Sequence, residues 1–143
     1  MKKILIINGP NLNLLHLRNK AIYGDSSLEK IEVECRELAQ QIEIEVSFFQ
    51  SNSEAEIIQQ IHQAIDNFEG VIINAGAYTH NSIAIRDALE IYRGKKIELH
   101  ISNIYQREEF RHKSMLSGVV DGVICGLGVQ GYSIALLAIN NLI

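Results

Sequence analysis

The sequence predicts an α/β protein with one open, doubly wound, five-stranded parallel sheet. Two observations carry that reading. Short, fully apolar, β-branched runs recur along the chain, and continuous runs of this kind suit parallel strands covered on both faces. Longer segments with apolar residues at steps of three and four lie between them, and a regular strand–helix alternation argues for a parallel sheet flanked by helices.

Ile4–Ile7 is read as the first strand. The start, Met1-Lys2-Lys3, imitates a signal peptide, but the apolar run breaks at Asn8-Gly9-Pro10-Asn11; a secretory core needs about 7–15 apolar residues. Leu28, Ile31, Cys35, Leu38 and Ile42 then mark a helix face, and Ile44–Phe49 a second strand. Ile57, Ile58, Ile61 and Ile65 mark the next helix and Val71–Ile73 the third strand. Ile85, Leu89 and Tyr92 follow, then Ile97–Ile101 as the fourth strand, a short helix near Arg107 to His112, and Val119–Cys125 as the fifth strand. The closing segment, Tyr132 to Leu142, is apolar nearly all round, which predicts packing on more than one side.

With 143 residues the chain is read as one domain, residues 1–143. Hydrophobic residues make up 47% and charged residues 21%, the balance of a globular protein rather than a disordered one. A formal net charge of −4 argues against a nucleic-acid partner, which needs clustered positive charge. No apolar run approaches the roughly 20 residues that span a bilayer, so no membrane partner is expected. Cys35 and Cys125 lack metal spacing and are read as reduced, mostly packed thiols of a cytoplasmic protein. The five histidines form no tight metal-binding pattern, so no metal is expected. Gly126-Leu127-Gly128-Val129-Gln130-Gly131 fits a dinucleotide fingerprint, yet the second strand and the acidic residue that the motif requires have no room in the 12 residues that follow. The glycines are read instead as a tight strand-to-helix turn.

Ligands of open parallel sheets bind beyond the carboxyl ends of the strands. The residues there are Asn8 to Asn11, Gln50 to Asn52, Asn74 to His80, His100 to Asn103 and Gly126 to Gly128. Arg18 and Tyr23 sit in a polar excursion after the first strand. A guanidinium beside a tyrosine stabilises the phenolate, so this pair can form a base on a closing loop; a tyrosine capping the core beside a solvated arginine is the alternative. His100 ends a buried strand, either as a general acid or base or as a hydrogen-bonded core histidine. Asn74 to His80 can bind hydroxyls or cap the helix beginning near Asn81. Within Arg107 to His112, an arginine can reach a ligand, or the run is a solvated helix face.

In this order and spacing the motifs resemble the type II 3-dehydroquinate dehydratases. The strings that carry the resemblance run from Asn8-Gly9-Pro10-Asn11-Leu12-Asn13-Leu14-Leu15, through Arg18 with Tyr23-Gly24 and Phe48-Phe49-Gln50-Ser51-Asn52, to Gly76-Ala77-Tyr78-Thr79-His80 and Arg86-Asp87-Ala88. Glu98-Leu99-His100-Ile101-Ser102-Asn103, Arg107-Glu108-Glu109-Phe110-Arg111 and Gly122 to Gly128 complete them. The resemblance implies a flavodoxin-like fold, reversible loss of water from 3-dehydroquinate, no cofactor, and a homododecamer built as a tetramer of trimers. It implies Tyr23 as base, Arg18 as the arginine that keeps it ionised, His100 as general acid, and Asn11 as holder of a water near the enolate oxygen. It further implies Asn74, His80 and Arg111 on substrate hydroxyls, Ile101 and Ser102 on the carboxylate, and Asp87 reaching a neighbouring subunit's site.

The chain departs from the family's usual pattern at His16, Asn19-Lys20, Ala75, Lys96 and Gly118, mostly where glycine or proline is frequent. The departures at His16, Asn19, Lys20 and Ala75 are expected to loosen or reshape the lid, since proline limits backbone freedom. Three rivals remain. A non-catalytic flavodoxin-like signalling or binding module would want acidic residues and a lysine where Asn8-Gly9-Pro10, Asn74-Ala75 and Gly126-Leu127 stand. A degenerate homologue would lack one of the central groups, all of which are present. A lysine Schiff-base dehydratase would want a lysine at a strand end facing the cleft, where none of the seven lies.

Overall fold

The computed structural model describes residues 1–143. Five parallel strands, β1 (Lys3–Asn8), β2 (Glu45–Gln50), β3 (Gly70–Asn74), β4 (Lys95–His100) and β5 (Gly122–Cys125), form one sheet in the order 2-1-3-4-5. That is the flavodoxin-like doubly wound order, with its switch point between β1 and β3. A one-turn helix α1 (Lys20–Tyr23) precedes the long helices α2 (Leu28–Gln41), α3 (Glu54–Ala64), α4 (Ile83–Ile91) and α5 (Gly131–Leu142).

Strand side chains alternate between faces, and the core divides accordingly. Ile4, Ile6, Ile72 and Leu99 pack under α2 and α5, against Ile31, Cys35, Leu136 and Ile139. Leu5, Ile7, Val71 and Ile73 pack under α3 and α4, against Ile57, Ile61, Ile85 and Leu89. Burial of a side chain of this size contributes roughly 2 kcal/mol, and it is the two-sided cover that makes these strands read as unbroken apolar runs. Burial also pushes the Cys35 thiol up to about 12, so this cysteine stays a packed, unreactive thiol. Cys125 is free and half-buried.

The helices start where short polar side chains can accept a backbone hydrogen bond. Ser27, Ser53 and Ser82 each take one, from Lys30, Glu56 and Ile85 at 3.2, 3.2 and 3.0 Å. The cap of α4 is therefore Ser82, which leaves Asn74 to His80 outside that role. No helix is long and apolar enough to cross a membrane.

Three expectations are corrected. The fifth strand begins at Gly122; Val119 closes a 3₁₀ turn over Ser117–Val119, and Val120 is extended but unpaired. The short helix near Arg107 to His112 is replaced by two 3₁₀ turns, Ile104–Gln106 and Glu109–Arg111. Arg107 is extended between them (φ −104°, ψ −165°), with its guanidinium drawn inward by polar partners. Finally, α5 buries one face only: Ile134 and Leu137 point outward.

Lys96, where proline is frequent in the resembling family, has a role of its own. Its Nζ donates to the carbonyls of Leu89 and Tyr92 at 2.9 and 2.6 Å, capping the end of α4 with a cation. Lys96→Met should cost about 1 kcal/mol, a fall in Tm of about 3 °C. Thermal unfolding followed by circular dichroism measures it; an unchanged midpoint would remove the cap from the account.

Candidate active site

The five segments that follow strands lie at one end of the molecule, since all the strands run parallel. β1 and β3 run side by side there, and they approach closely: a Cβ on Gly9 would lie 2.4 Å from the Ala75 carbonyl oxygen, so the loop after β1 needs glycine at this point. From that loop the chain passes through a 3₁₀ segment, Leu12–Leu17, into the excursion carrying Arg18 and Tyr23.

Tyr23 is 7% exposed, its ring packed into the core cluster that also holds Leu12, Leu15 and Leu28. Its hydroxyl lies between two guanidinium groups. Arg18 Nη2 donates to Tyr23 Oη at 2.6 Å, and so does Arg107 Nη1 at 2.6 Å. Arg18 also lies over the ring face, its Cζ 4.0 Å from the centroid. Arg107 reaches across to Ser102 Oγ at 3.3 Å, which ties the tyrosine to the carboxyl end of β4. Two cations on one phenolic oxygen stabilise negative charge there.

The excursion itself is ordered by the residues that replace the family's usual pair. Asn19 Oδ1 accepts from the Ala21 N–H at 3.0 Å and caps α1, while Lys20 pairs with Asp25 at 3.1 Å. Asn19 thus supplies a side-chain cap at the start of the one-turn helix α1. His16 is exposed on the 3₁₀ segment, and nothing in the structure explains its presence.

His100 and Glu98 lie one residue out of phase with Ile97, Leu99 and Ile101, so they share the opposite face of β4. His100 Nε2 donates to Glu98 Oε2 at 2.5 Å, with both side chains buried. Glu98 Oε1 accepts from Ser114 and Ser117 at 2.9 and 2.7 Å. Burial alone would raise the Glu98 carboxyl; the hydrogen bonds from His100, Ser117 and Ser114 outweigh it and hold the group below its usual value. The carboxylate fixes the proton of His100 on Nε2 and leaves Nδ1 as its free end.

His80 stacks on His100 with ring centroids 6.3 Å apart. Its Nδ1 donates to the Lys113 carbonyl at 2.8 Å. Burial lowers the His80 pKa, the Lys113 bond opposes this, and the neighbouring His100 and Arg111 add to it; the net shift is downward. A neutral ring with its proton on Nδ1 presents Nε2 as an acceptor. Arg111 sits on the 3₁₀ turn that packs against Gly76–His80, its Nε bonded to Glu108 at 2.9 Å.

The remaining predicted residues are placed as follows. Asn74 is buried, Nδ2 bonded to Tyr132 at 3.0 Å and Oδ1 to the Gly76 N–H at 3.3 Å. Asn11 is exposed in the left-handed region (φ 69°), its N–H held by Asn52 Oδ1 at 3.0 Å. Asp87 lies on the outer face of α4, paired with Arg86 at 3.2 Å and away from this chain's own site. Ile101 and Ser102 line a cavity of about 600 Å³ with Tyr23, Gly24, Gln106 and the Gly126–Gln130 loop. His100, Asn11, Asn74, His80 and Arg111 are outside that lining. The loop is the tight turn that its glycines suggested, with Gly126 and Gly128 at φ 84° and 71°. No group of three or more His, Cys, Asp or Glu side chains is placed to hold a metal ion.

The family model described as "Dehydroquinase class II" matches residues 2–140. The chain belongs to the class II dehydroquinase family. It is 52% identical over 139 residues to the 3-dehydroquinate dehydratase of Histophilus somni, covering 97% of this chain and 93% of that one. It is 51% identical over 144 residues to that of Caldicellulosiruptor bescii, covering 100% and 99%. Among solved structures it matches the type II dehydroquinase from Butyrivibrio crossotus with a TM-score of 0.95 at 49% identity, over 97% of each chain.

Two site residues of this class II dehydroquinase escaped the sequence reading. Glu98 was legible in principle: an acid inside an apolar strand, two residues before a histidine and so on the same face. Arg107 stood in a run whose arginines the sequence offered as able to reach a ligand, but the resemblance gave a role only to Arg111, on substrate hydroxyls; Arg107 is the one that reaches Tyr23.

Proposed function

We propose that the chain catalyses reversible elimination of water from 3-dehydroquinate to give 3-dehydroshikimate, as a hydro-lyase acting through an enolate. The observation that carries this reading is the Tyr23 oxygen between two guanidiniums, 2.6 Å from each, at the carboxyl ends of the strands. A proton beside a ketone is weakly acidic, and its removal needs a positioned oxygen base beside groups that can stabilise charge on it.

In this mechanism Tyr23 Oη removes that proton while Arg18 and Arg107 hold the phenolate. Asn11 holds a water against the developing enolate oxygen. His100, entering this step as an imidazolium whose Nε2–H is held by Glu98, gives its Nδ1 proton to the departing hydroxyl, which leaves as water, and is left neutral with its proton on Nε2. Asn74, His80 and Arg111 bind the substrate hydroxyls, and the Ile101 N–H and Ser102 bind its carboxylate. The reaction needs no cofactor and runs in one catalytic domain in the cytoplasm.

The active assembly is a homododecamer, a tetramer of trimers, in which Asp87 reaches a neighbour's site. Two features support an assembly: Asp87 is exposed and bonded only to Arg86, and Ile134 and Leu137 are left uncovered on α5. Sedimentation at assay concentration tests it, and a monomer that turns over substrate would overturn it.

The first test of the activity is an assay with 3-dehydroquinate in the presence of a chelator, following the ultraviolet absorbance of the conjugated enone. Turnover is expected. A folded dodecamer without turnover would mark a degenerate homologue. Borohydride should leave no substrate adduct on any lysine; a stable mass increase there would replace the enolate mechanism with an imine one.

A further inference from the structure

Beneath the carboxyl ends of β1 and β3 lies a buried polar chain of which the mechanism above uses only Asn74. Asn8 and Asn74 end these two strands as register partners and are 1% and 4% exposed. Tyr132, on the first turn of α5 and itself buried, inserts its hydroxyl between them.

Every link in this chain has a determined direction. The Gly76 N–H can only donate, so the Asn74 group facing it at 3.3 Å is Oδ1. Nδ2 of Asn74 therefore faces Tyr132 and donates to its Oη at 3.0 Å. The phenol's own proton is left for Asn8 Oδ1, 2.5 Å away. Burial raises the Tyr132 pKa, so that proton stays in place. Asn8 Nδ2, by contrast, is buried without a hydrogen-bond partner. Such a group is costly, and here the cost falls on the residue that supplies Tyr132 with its acceptor.

We infer that Tyr132, oriented by Asn8, is a positioning residue that locks the Asn74 amide in one of its two flipped orientations and so sets affinity for the substrate hydroxyl. The inference rests on the proposed function, in which Asn74 binds that hydroxyl. Without the Tyr132 oxygen, Asn74 keeps one weak tether, to Gly76, and its donor and acceptor can exchange places. Without the Asn8 oxygen, the phenol proton loses its acceptor and competes for Asn74 Oδ1, which inverts the amide.

A double-mutant cycle in KM tests this. Tyr132→Phe should raise KM for 3-dehydroquinate about tenfold, the effect of one buried hydrogen bond, and change kcat by less than about twofold. Asn8→Ala should act in the same direction. In an Asn74→Ala background, Tyr132→Phe should change KM by less than about twofold, because the residue it acts through is gone. An equal factor in both backgrounds, or an unchanged KM in Tyr132→Phe, would overturn the inference and leave Tyr132 a packing residue. If Tyr132→Phe does not fold, Asn8→Ala is taken through the same cycle with the same criteria. A wild-type protein without turnover would overturn the functional reading itself, which separates the two failures.

Discussion

Tyr23→Phe should lose turnover by about 10³-fold or more, the effect of removing a positioned base, and keep its fold. The substitution deletes one oxygen and nothing else. The ring stays where it is, packed with Leu12, Leu15 and Leu28 and lying under the Arg18 guanidinium. What disappears is the shared acceptor of two arginines, Arg18 and Arg107, each of which donates to it at 2.6 Å. Circular dichroism and a melting curve establish that the variant is folded; a steady-state assay then reads the loss. Near-wild-type turnover in a folded Tyr23→Phe protein would refute the base. Arg107→Met extends the test to the residue the sequence did not mark. It should lower kcat by about tenfold or more with little change in KM, since the charge it supplies matters only when Oη bears its own.

His100→Asn should lose turnover by about 10²- to 10⁴-fold, because the departing hydroxyl then has no acid to meet it. His100→Ala should do the same. Binding should suffer less, as KM or an inhibitor Kd will show. Glu98→Gln separates proton delivery from geometry. It preserves the shape of the partner at 2.5 Å while removing its charge, so its kcat should fall while its KM stays near the wild-type value. Full kcat in Glu98→Gln would reduce Glu98 to a packing role. The pH dependence follows from the depressed carboxyl. A group held below its unfolded value contributes stability above that value, about 4.3 for Glu, and loses the contribution only as pH falls through the lower folded one. Between pH 5 and 7 the Glu98 carboxylate should therefore stay ionised, and an acid limb of kcat in that window belongs to other groups.

The sheet was legible because each strand of a doubly wound fold is covered twice and so carries an unbroken apolar signature. That signal overreached at Val119 and Val120, which are apolar and β-branched but half-exposed beside the open edge of β5. It also could not anticipate the two 3₁₀ turns around Arg107, whose backbone is extended while its guanidinium serves Tyr23 and Ser102. In the site, His100 stood out as a polar residue ending a buried strand, and the family resemblance supplied Tyr23 and Arg18. Arg107 and Tyr132 stayed hidden for a physical reason: each acts across 84 and 58 residues of chain on a single atom, a relation that no local pattern encodes.

The contact between Tyr132 and Asn8 joins positions 124 apart, so the first strand of the chain and its last helix complete one another. The Ile72 and Leu99 face of β3 and β4, at the middle of the sheet, is covered by α5. That face has no final cover until α5 docks, and contacts closed over such separations form slowly. A nascent or truncated chain lacking α5 therefore exposes a flat apolar strip of the sort that chaperones bind and aggregates grow from. Docking of α5 therefore brings the hydrophobic seal and the polar underpinning of the pocket together.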